Sequence, residues 1–132
     1  MLPVVTCATI RGVAATVLVV DDHPSFRRFA RRLIEAAGFT VVEEAADGAS
    51  ALAAVRTARP DVVLLDVLLP DTTGFELAEA LSSEPEAPVV VLTSSRSAGD
   101  LGASLSRSRA RGFICKRDLT AAAFASLVRG VA

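Results

Sequence analysis

The sequence predicts an α/β fold in which helices cover both faces of an open, five-stranded parallel sheet. Five β-rich runs alternate with five segments of helical periodicity, and several of the runs are apolar without interruption. Uninterrupted apolar runs are typical of strands buried on both faces, as in parallel sheets. Because strand–helix–strand units cross over in a right-handed sense, the prediction is a doubly wound sheet.

The first unit begins with a strand at Thr16–Val20 and continues into an amphipathic helix. Pro24 suits a first helical position, and Gly38 is expected to end the helix. Phe26 and Phe29 belong to the apolar positions that define its inner face. The four arginines of the RRFARR segment fall on the opposite face, where we expect them to be solvated rather than to bind nucleic acid.

The remaining elements follow from apolar runs that end at glycine, proline or other turn residues. The predicted strands are Thr40–Ala45, Asp61–Leu65, Pro88–Leu92 and Gly112–Cys115. The predicted helices are Ala49–Ala58, Phe75–Leu81, a segment within 96–109, and Leu119–Val128. Gly99 and Gly102 lower the helix propensity of the 96–109 segment, and Asp118 is expected to cap the last helix.

Composition and charge restrict the possible functions. The chain of 132 residues has 14 basic and 15 acidic side chains, so it has no overall attraction to nucleic acid or to an anionic membrane. Its apolar runs are shorter than the roughly 20 residues of a membrane-spanning helix. Cys7 and Cys115 form no spacing motif, which favours a reduced, cytoplasmic setting.

The sequence predicts one domain over residues 16–132, preceded by a leader of unknown role over residues 1–15. The leader has no basic residue ahead of its apolar stretch, and Arg11 interrupts that stretch, so we do not expect a targeting signal. Because the sequence ends directly after the fifth predicted helix, no output domain is expected to follow.

Polar residues stand at the ends of four of the five predicted strands. They are Asp21 and Asp22 after the first strand, Asp66 after the third, Thr93 after the fourth and Lys116 after the fifth. In an open α/β sheet the ligand site lies beyond the carboxyl ends of the strands. We therefore expect these side chains to form one polar site.

The residue types of this site indicate phosphoryl transfer. Three neighbouring carboxylates repel one another unless a hard divalent cation such as Mg²⁺ neutralises them. Lys116 adds a compact positive charge and Thr93 a hydroxyl donor, so metal, ammonium and hydroxyl could each hold one phosphoryl oxygen. Asp66, the central carboxylate, is then the in-line acceptor. Lys116 is the single lysine beside 13 arginines, which is consistent with a site that needs a point charge.

Four segments, VLVVDDHP, LLDVLLPDTTGFE, VVVLTSS and GFICKRDL, resemble the signatures of response regulator receiver domains, in order and in register over residues 16–130. The resemblance implies a flavodoxin-like (βα)5 fold and a phosphoryl group on Asp66. It also implies that Asp22 binds the metal, Mg²⁺ or Mn²⁺, directly, whereas Asp21 acts through water. The backbone carbonyl of Leu68 is implied as a further metal ligand.

The resemblance also implies a switching mechanism. Thr93 matches the family's switch hydroxyl, Phe113 its aromatic switch position, and Lys116 its characteristic lysine. Pro70 and Gly74 match the loop that shapes the phosphorylation pocket. A sensor histidine kinase or a phosphotransfer protein would donate the phosphoryl group. The face formed by helix 4, strand 5 and helix 5 would then control a downstream protein partner or a second copy of the chain.

The same resemblance implies no direct contact with nucleic acid or membrane, and no catalysis beyond the chain's own phosphorylation and dephosphorylation. Three alternatives stay open. The chain could be the receiver part of a DNA-binding transcriptional regulator without its output domain, since DHP and RGFICK most resemble receivers of helix-turn-helix regulators. It could be a haloacid-dehalogenase-type phosphatase, although that class has Asp-x-Asp where this chain has adjacent aspartates. It could also signal without phosphorylation, although no acidic residue of the site is missing.

Overall fold

The computed structural model describes residues 9–10 and 13–129 of the chain. Within the predicted leader, two-residue strands at Thr9–Ile10 and Val13–Ala14 pair antiparallel ahead of the main sheet. Residues 1–8, 11 and 12 of that leader lie outside the described part. Its last residue, Ala15, is fully buried, so the core begins one residue before the predicted domain boundary.

The main sheet has five parallel strands in the order β2-β1-β3-β4-β5, which confirms the predicted fold class. The strands are β1 (Thr16–Val20), β2 (Thr40–Ala45), β3 (Val62–Asp66), β4 (Val89–Ser94) and β5 (Gly112–Cys115). The helices are α1 (Pro24–Ala36), α2 (Gly48–Ala58), α3 (Gly74–Leu81), α4 (Ala98–Ser106) and α5 (Ala121–Arg129). None of the helices described is long and apolar enough to cross a membrane.

The alternating side chains of each strand divide the core into two apolar layers, one on each face of the sheet. In β3, Val62 and Leu64 belong to one layer, and Val63 and Leu65 belong to the other, all four fully buried. Helices α1 and α5 complete the first layer, and α2 and α3 complete the second. Because both faces are covered, every position of the strand favours an apolar residue. Full burial of one such side chain contributes roughly 1.5–3 kcal/mol.

Helix α1 departs from the predicted division into an apolar and a solvated face. Gly38, with a φ of 99°, follows the end of the helix as expected. Phe29 is 43% exposed, so its assignment to the inner face is wrong. The expectation of purely solvated arginines is also wrong, because Arg27 and Arg31 bind the carboxylate of Glu44 in β2 at 3.1 and 2.8 Å. These ion pairs fasten α1 to the edge strand of the sheet.

Helix α4 is the least embedded of the described helices. It has no buried residue, and its helical backbone is interrupted at Gly102, where φ is 55° and ψ is −132°. Leu101 and Leu105 pack half-buried against the second apolar layer. The predicted weakness of this helix is therefore confirmed.

The last helix begins two residues later than predicted. Lys116–Asp118 form a short 3-10 helix, and Leu119 after it is buried. The cap of α5 is Thr120, whose hydroxyl oxygen accepts the backbone N–H of Ala123 at 3.0 Å. The predicted capping role of Asp118 is wrong, since the 3-10 turn takes up that residue before α5 starts.

Candidate functional site

The carboxyl ends of β1, β3, β4 and β5 bring the predicted polar residues to one edge of the sheet. Asp21 follows β1 and Lys116 follows β5, whereas Asp66 and Thr93 lie inside the ends of β3 and β4. Both of these strands extend beyond their predicted ends, so Asp66 and Thr93 are register partners within the sheet. Asp21 and Thr93 are fully buried, and Asp66 is 5% exposed. The sheet therefore sets the spacing of the site.

Lys116 joins the two buried carboxylates. Its Nζ lies 2.6 Å from Oδ2 of Asp21 and 3.3 Å from Oδ2 of Asp66. The same ammonium lies 4.3 Å from the ring centroid of Phe26 in α1, within the range of a cation–π interaction. Two carboxylates and an aromatic ring thus hold one cation, and this cation is the chain's single lysine.

The ionisation of the site reflects this crowding of charge. Burial and, to a smaller extent, the negative charge of Asp21 raise the pKa of Asp66 to about 6, and the positive charge of Lys116 opposes this rise. Burial also raises the pKa of Asp21, but hydrogen bonds from Lys116 and the backbone N–H of His23 bring it below its usual value. Burial lowers the pKa of Lys116, but Asp21 and Asp66 hold it above its usual range. Of the two buried carboxylates, Asp66 therefore has the higher pKa and takes up a proton first on acidification.

Asp22 and His23 extend the acidic cluster toward solvent. Nδ1 of His23 lies 3.1 Å from Oδ1 of both Asp21 and Asp22. One possible ligand atom from each of four residues lies within 4.8 Å of the others, these being Asp21, Asp22, His23 and Asp66. Three carboxylates at this spacing fit the oxygen ligands that Mg²⁺ prefers. His23 was not predicted from the sequence as a site residue, although its position directly after two aspartates could have indicated it.

The hydroxyl of Thr93 is a donor that has no acceptor in the described part of the chain. Its Oγ1 is buried and has no hydrogen-bond partner among the residues described. Leaving a buried polar group unpaired costs about 1–3 kcal/mol, so such groups are uncommon in folded proteins. Thr93 is the register partner of Asp66, so this hydroxyl belongs to the strand position beside that carboxylate.

The loop between β3 and α3, residues 67–73, orients the carboxylate of Asp66. The backbone N–H of Leu68 donates to Oδ1 of Asp66 at 3.2 Å, whereas Oδ2 receives the hydrogen bond of Lys116. The loop ends at Gly74, whose N–H donates to the carbonyl of Val67 at 2.6 Å. A Cβ at Gly74 would lie 2.5 Å from the backbone oxygen of Asp66, so only glycine allows this close approach.

An open cleft of about 560 Å³ lies over these residues. Its lining includes Asp66, Leu68, Pro70 and Lys116, so a small molecule or a side chain of another protein could reach the carboxylate. Phe113 is not among the residues that line the cleft. It lies half-buried in β5 and packs against the second apolar layer.

Comparison with known proteins relates the chain to signalling proteins. The family profile described as the response regulator receiver domain matches residues 17–124. The probable transcriptional regulatory protein TcrX of Mycobacterium tuberculosis is 43% identical over 95 residues, which is 71% of this chain and 40% of that protein. A putative transcriptional regulator of Pseudomonas aeruginosa is 41% identical over 103 residues, 77% of this chain and 49% of that protein.

A protein-glutamate methylesterase/protein-glutamine glutaminase of Hahella chejuensis is 40% identical over 64% of this chain, and the match covers 24% of the enzyme. The chain therefore spans between about a quarter and a half of the length of these curated relatives.

Solved structures show the same fold. The signal receiver domain of the putative response regulator NarL from Mycobacterium tuberculosis superposes with a TM-score of 0.75 and 35% identity, covering 89% of this chain and 92% of that one. A two-component response regulator of the LuxR family from Aurantimonas sp. SI85-9A1 gives a TM-score of 0.78 at 28% identity, covering 89% and 87% of the two chains.

Proposed function

The chain belongs to the family of response regulator receiver domains of two-component systems, and we propose that it accepts a phosphoryl group on Asp66 beside a bound divalent metal. The observation that carries the proposal is the contact of Lys116 with Asp21 and with Asp66, whose strand partner Thr93 has a buried hydroxyl with no hydrogen-bond partner among the described residues. This arrangement surrounds one carboxylate with the donors that a phosphoryl group requires.

The proposed donor is a phosphohistidine of a sensor histidine kinase or of a phosphotransfer protein. A carboxylate oxygen of Asp66 forms a bond to phosphorus while the bond from phosphorus to the donor nitrogen breaks, and the electron pair stays on the imidazole, which takes up a proton. Asp66 must be ionised to attack, so the raised pKa of about 6 still leaves it competent at neutral pH. Lys116 and Thr93 each stabilise one phosphoryl oxygen.

The proposed metal is Mg²⁺ or Mn²⁺. Asp22, Asp66 and the carbonyl of Leu68 would hold it directly, and Asp21 would act through water. When bound, the metal supplies positive charge that offsets the carboxylates and the transferred oxygens. The close spacing of the carboxylates supports this assignment.

The proposed output is a shift between two conformations of the surface formed by α4, β5 and α5. Thr93 and Phe113 are the proposed switch residues, since Thr93 is the strand partner of Asp66 and Phe113 packs in the layer that also contacts α4. The partner at this surface is a downstream protein or a second copy of the chain. In this proposal residues 16–132 form the receiver domain, residues 1–15 a leader, and the chain acts on no substrate besides itself.

A second candidate is that the chain is the receiver part of a DNA-binding transcriptional regulator. The observation that favours it is that two matched relatives are named transcriptional regulators and extend well beyond the matched region. This candidate shares the chemistry at Asp66 and differs only in what the domain controls.

Intact-mass measurement after incubation with Mg²⁺ and acetyl phosphate tests the proposal. We expect one phosphoryl group on the parent chain, removed at high pH, and none on Asp66→Asn. Asp100→Asn, which removes an exposed carboxylate in α4, is the matched control and should be labelled like the parent. Equal labelling of Asp66→Asn and the parent would show that Asp66 is not the acceptor.

A further inference from the structure

The loop of residues 67–73 is fastened to α2 by the side chain of Asp71. Oδ1 of Asp71 accepts the backbone N–H of Gly48 at 2.8 Å, and Oδ2 accepts the N–H of Ala49 at 3.1 Å. Gly48 and Ala49 are the first two residues of α2, whose N–H groups have no acceptor within the helix. A carboxylate at this position also interacts favourably with the helix dipole.

The close approach of loop and helix depends on Gly48. A Cβ at this position would lie 2.5 Å from Cγ2 of Thr72 and 3.2 Å from Oδ1 of Asp71. Gly48 is buried although it is the first residue of the helix. The contact therefore needs a carboxylate on the loop and the absence of a side chain at the first position of the helix.

The same loop carries the backbone groups that face Asp66. The N–H of Leu68 donates to Oδ1 of Asp66, Leu68 bridges to Thr73, and the N–H of Leu69 donates to the carbonyl of Thr72 at 3.2 Å. These hydrogen bonds make one compact unit of the loop. An anchor at Asp71 therefore restrains the position of Leu68.

We propose that Asp71 is a positioning residue for phosphoryl acceptance. Its carboxylate anchors the loop to α2 and thereby holds the backbone of Leu68 against Asp66. The anchor favours one orientation of the Asp66 carboxylate and holds the Leu68 carbonyl where it would bind the proposed metal. Groups that orient a site in this way act by limiting the conformations that must be searched before reaction. The inference rests on the proposed function.

The alternative role of Asp71 is to cap α2 and nothing more. The chain offers a matched control, because Asp47 caps the same helix. Its Oδ1 accepts the N–H of Ser50 at 2.8 Å and the hydroxyl of Ser50 at 2.6 Å, and within the described part of the chain it has no hydrogen bond to the loop. Asp47→Ala thus weakens the start of α2, whereas Asp71→Ala also frees the loop.

The first measurement is amide hydrogen exchange of the full chain without metal. We expect exchange at Leu68 and Leu69 to be about fivefold faster in Asp71→Ala than in the parent, the factor that follows from losing one capping interaction. Asp47→Ala should leave exchange at these two residues unchanged. Asp71→Asn keeps one acceptor oxygen for Gly48 and should recover part of the protection, so the test does not depend on the alanine variant folding.

The second measurement is Mg²⁺ affinity by isothermal titration calorimetry, together with phosphorylation by acetyl phosphate at low and at saturating Mg²⁺. We expect Asp71→Ala to bind Mg²⁺ about tenfold more weakly, as is typical when a residue that orients a metal ligand is lost. Its phosphorylation rate should fall most at low Mg²⁺, and Asp47→Ala should match the parent.

Equal behaviour of Asp71→Ala and Asp47→Ala in exchange and in Mg²⁺ affinity would overturn the proposal, because Asp71 would then be a cap only. A parent chain that is not phosphorylated would overturn the proposed function instead. The exchange measurement needs neither metal nor phosphodonor, so it decides whether Asp71 anchors the loop in either case.

Discussion

Asp66 and Thr93 stand opposite each other in neighbouring strands β3 and β4. The backbone carbonyl of Thr93 accepts the N–H of Val67, the residue after Asp66, at 2.9 Å. The sheet hydrogen bonds thus hold the two residues side by side, while Oγ1 of Thr93 has no partner among the described residues. In the proposed phosphorylated state this hydroxyl would bind a phosphoryl oxygen without first breaking a hydrogen bond to any of the described residues.

We predict that Thr93→Val uncouples phosphorylation from the change in conformation. Valine keeps the branched shape and removes an unpaired hydroxyl, so thermal unfolding of the free chain should occur at an equal or higher temperature. In the parent, phosphorylation should change hydrogen exchange mainly over residues 94–117, and this change should be lost in the variant. Thr57→Val, at an exposed threonine of α2, is the control. If exchange over residues 94–117 were equal in the phosphorylated and the free parent, the proposed switch surface would be wrong.

We predict that Asp66→Asn stabilises the metal-free chain at neutral pH. The pKa of Asp66 is about 6 in the fold, against roughly 3.9 in an unfolded chain, so the folded state binds the proton more tightly. The contribution of Asp66 to the free energy of unfolding is therefore fully present below about pH 4 and is lost as the pH rises through about 6. The variant should be more stable by about 1–3 kcal/mol at pH 7, with little difference near pH 4. Urea unfolding at both pH values checks this, and a pH-independent difference would contradict it.

We predict that Lys116→Arg keeps the charge but impairs the site. The ammonium fits between Asp21 and Asp66 and over the ring of Phe26, and a planar guanidinium is too large for the same contacts. Phosphorylation by acetyl phosphate should slow by about tenfold or more, since the retained charge is no longer positioned between the two carboxylates. Exchange over residues 94–117 should respond less to phosphorylation. Arg117→Lys, at the exposed neighbouring residue, is the control and should match the parent.

We predict that Asp22→Ala weakens Mg²⁺ binding most among single changes in the acidic cluster. The carboxylate of Asp22 is 36% exposed, so its removal leaves the buried contact of Asp21 with Lys116 intact. The fold should therefore be preserved while the proposed direct metal ligand is lost. Calorimetric titration of the parent, Asp22→Ala and His23→Ala with Mg²⁺ gives the comparison. Equal affinities of Asp22→Ala and the parent would exclude Asp22 as a ligand.

The fold class and the gathering of the site residues could be predicted from the sequence. Continuous apolar runs alternate with amphipathic helices, and parallel strands have their carboxyl ends at one edge. Asp66, Thr93 and Lys116 each follow or end such a run, so their placement at one edge of the sheet follows from the topology alone. The low helix propensity around Gly102 is likewise a local property, and the structure agrees with it.

Only the tertiary structure decided which side chains within the site and around it touch. Two contacts, that of Arg27 with Glu44 and that of Asp71 with Gly48, join residues that are distant in the chain. The exposure of Phe29 depends on the rotation of α1 against the sheet. The position of Lys116 between Asp21 and Asp66 is of the same kind. A periodic pattern specifies which face of an element is apolar, but not its strand register, its packing angle or the rotamers at its edges. These are set by close packing of the whole core, and so by all of the residues together.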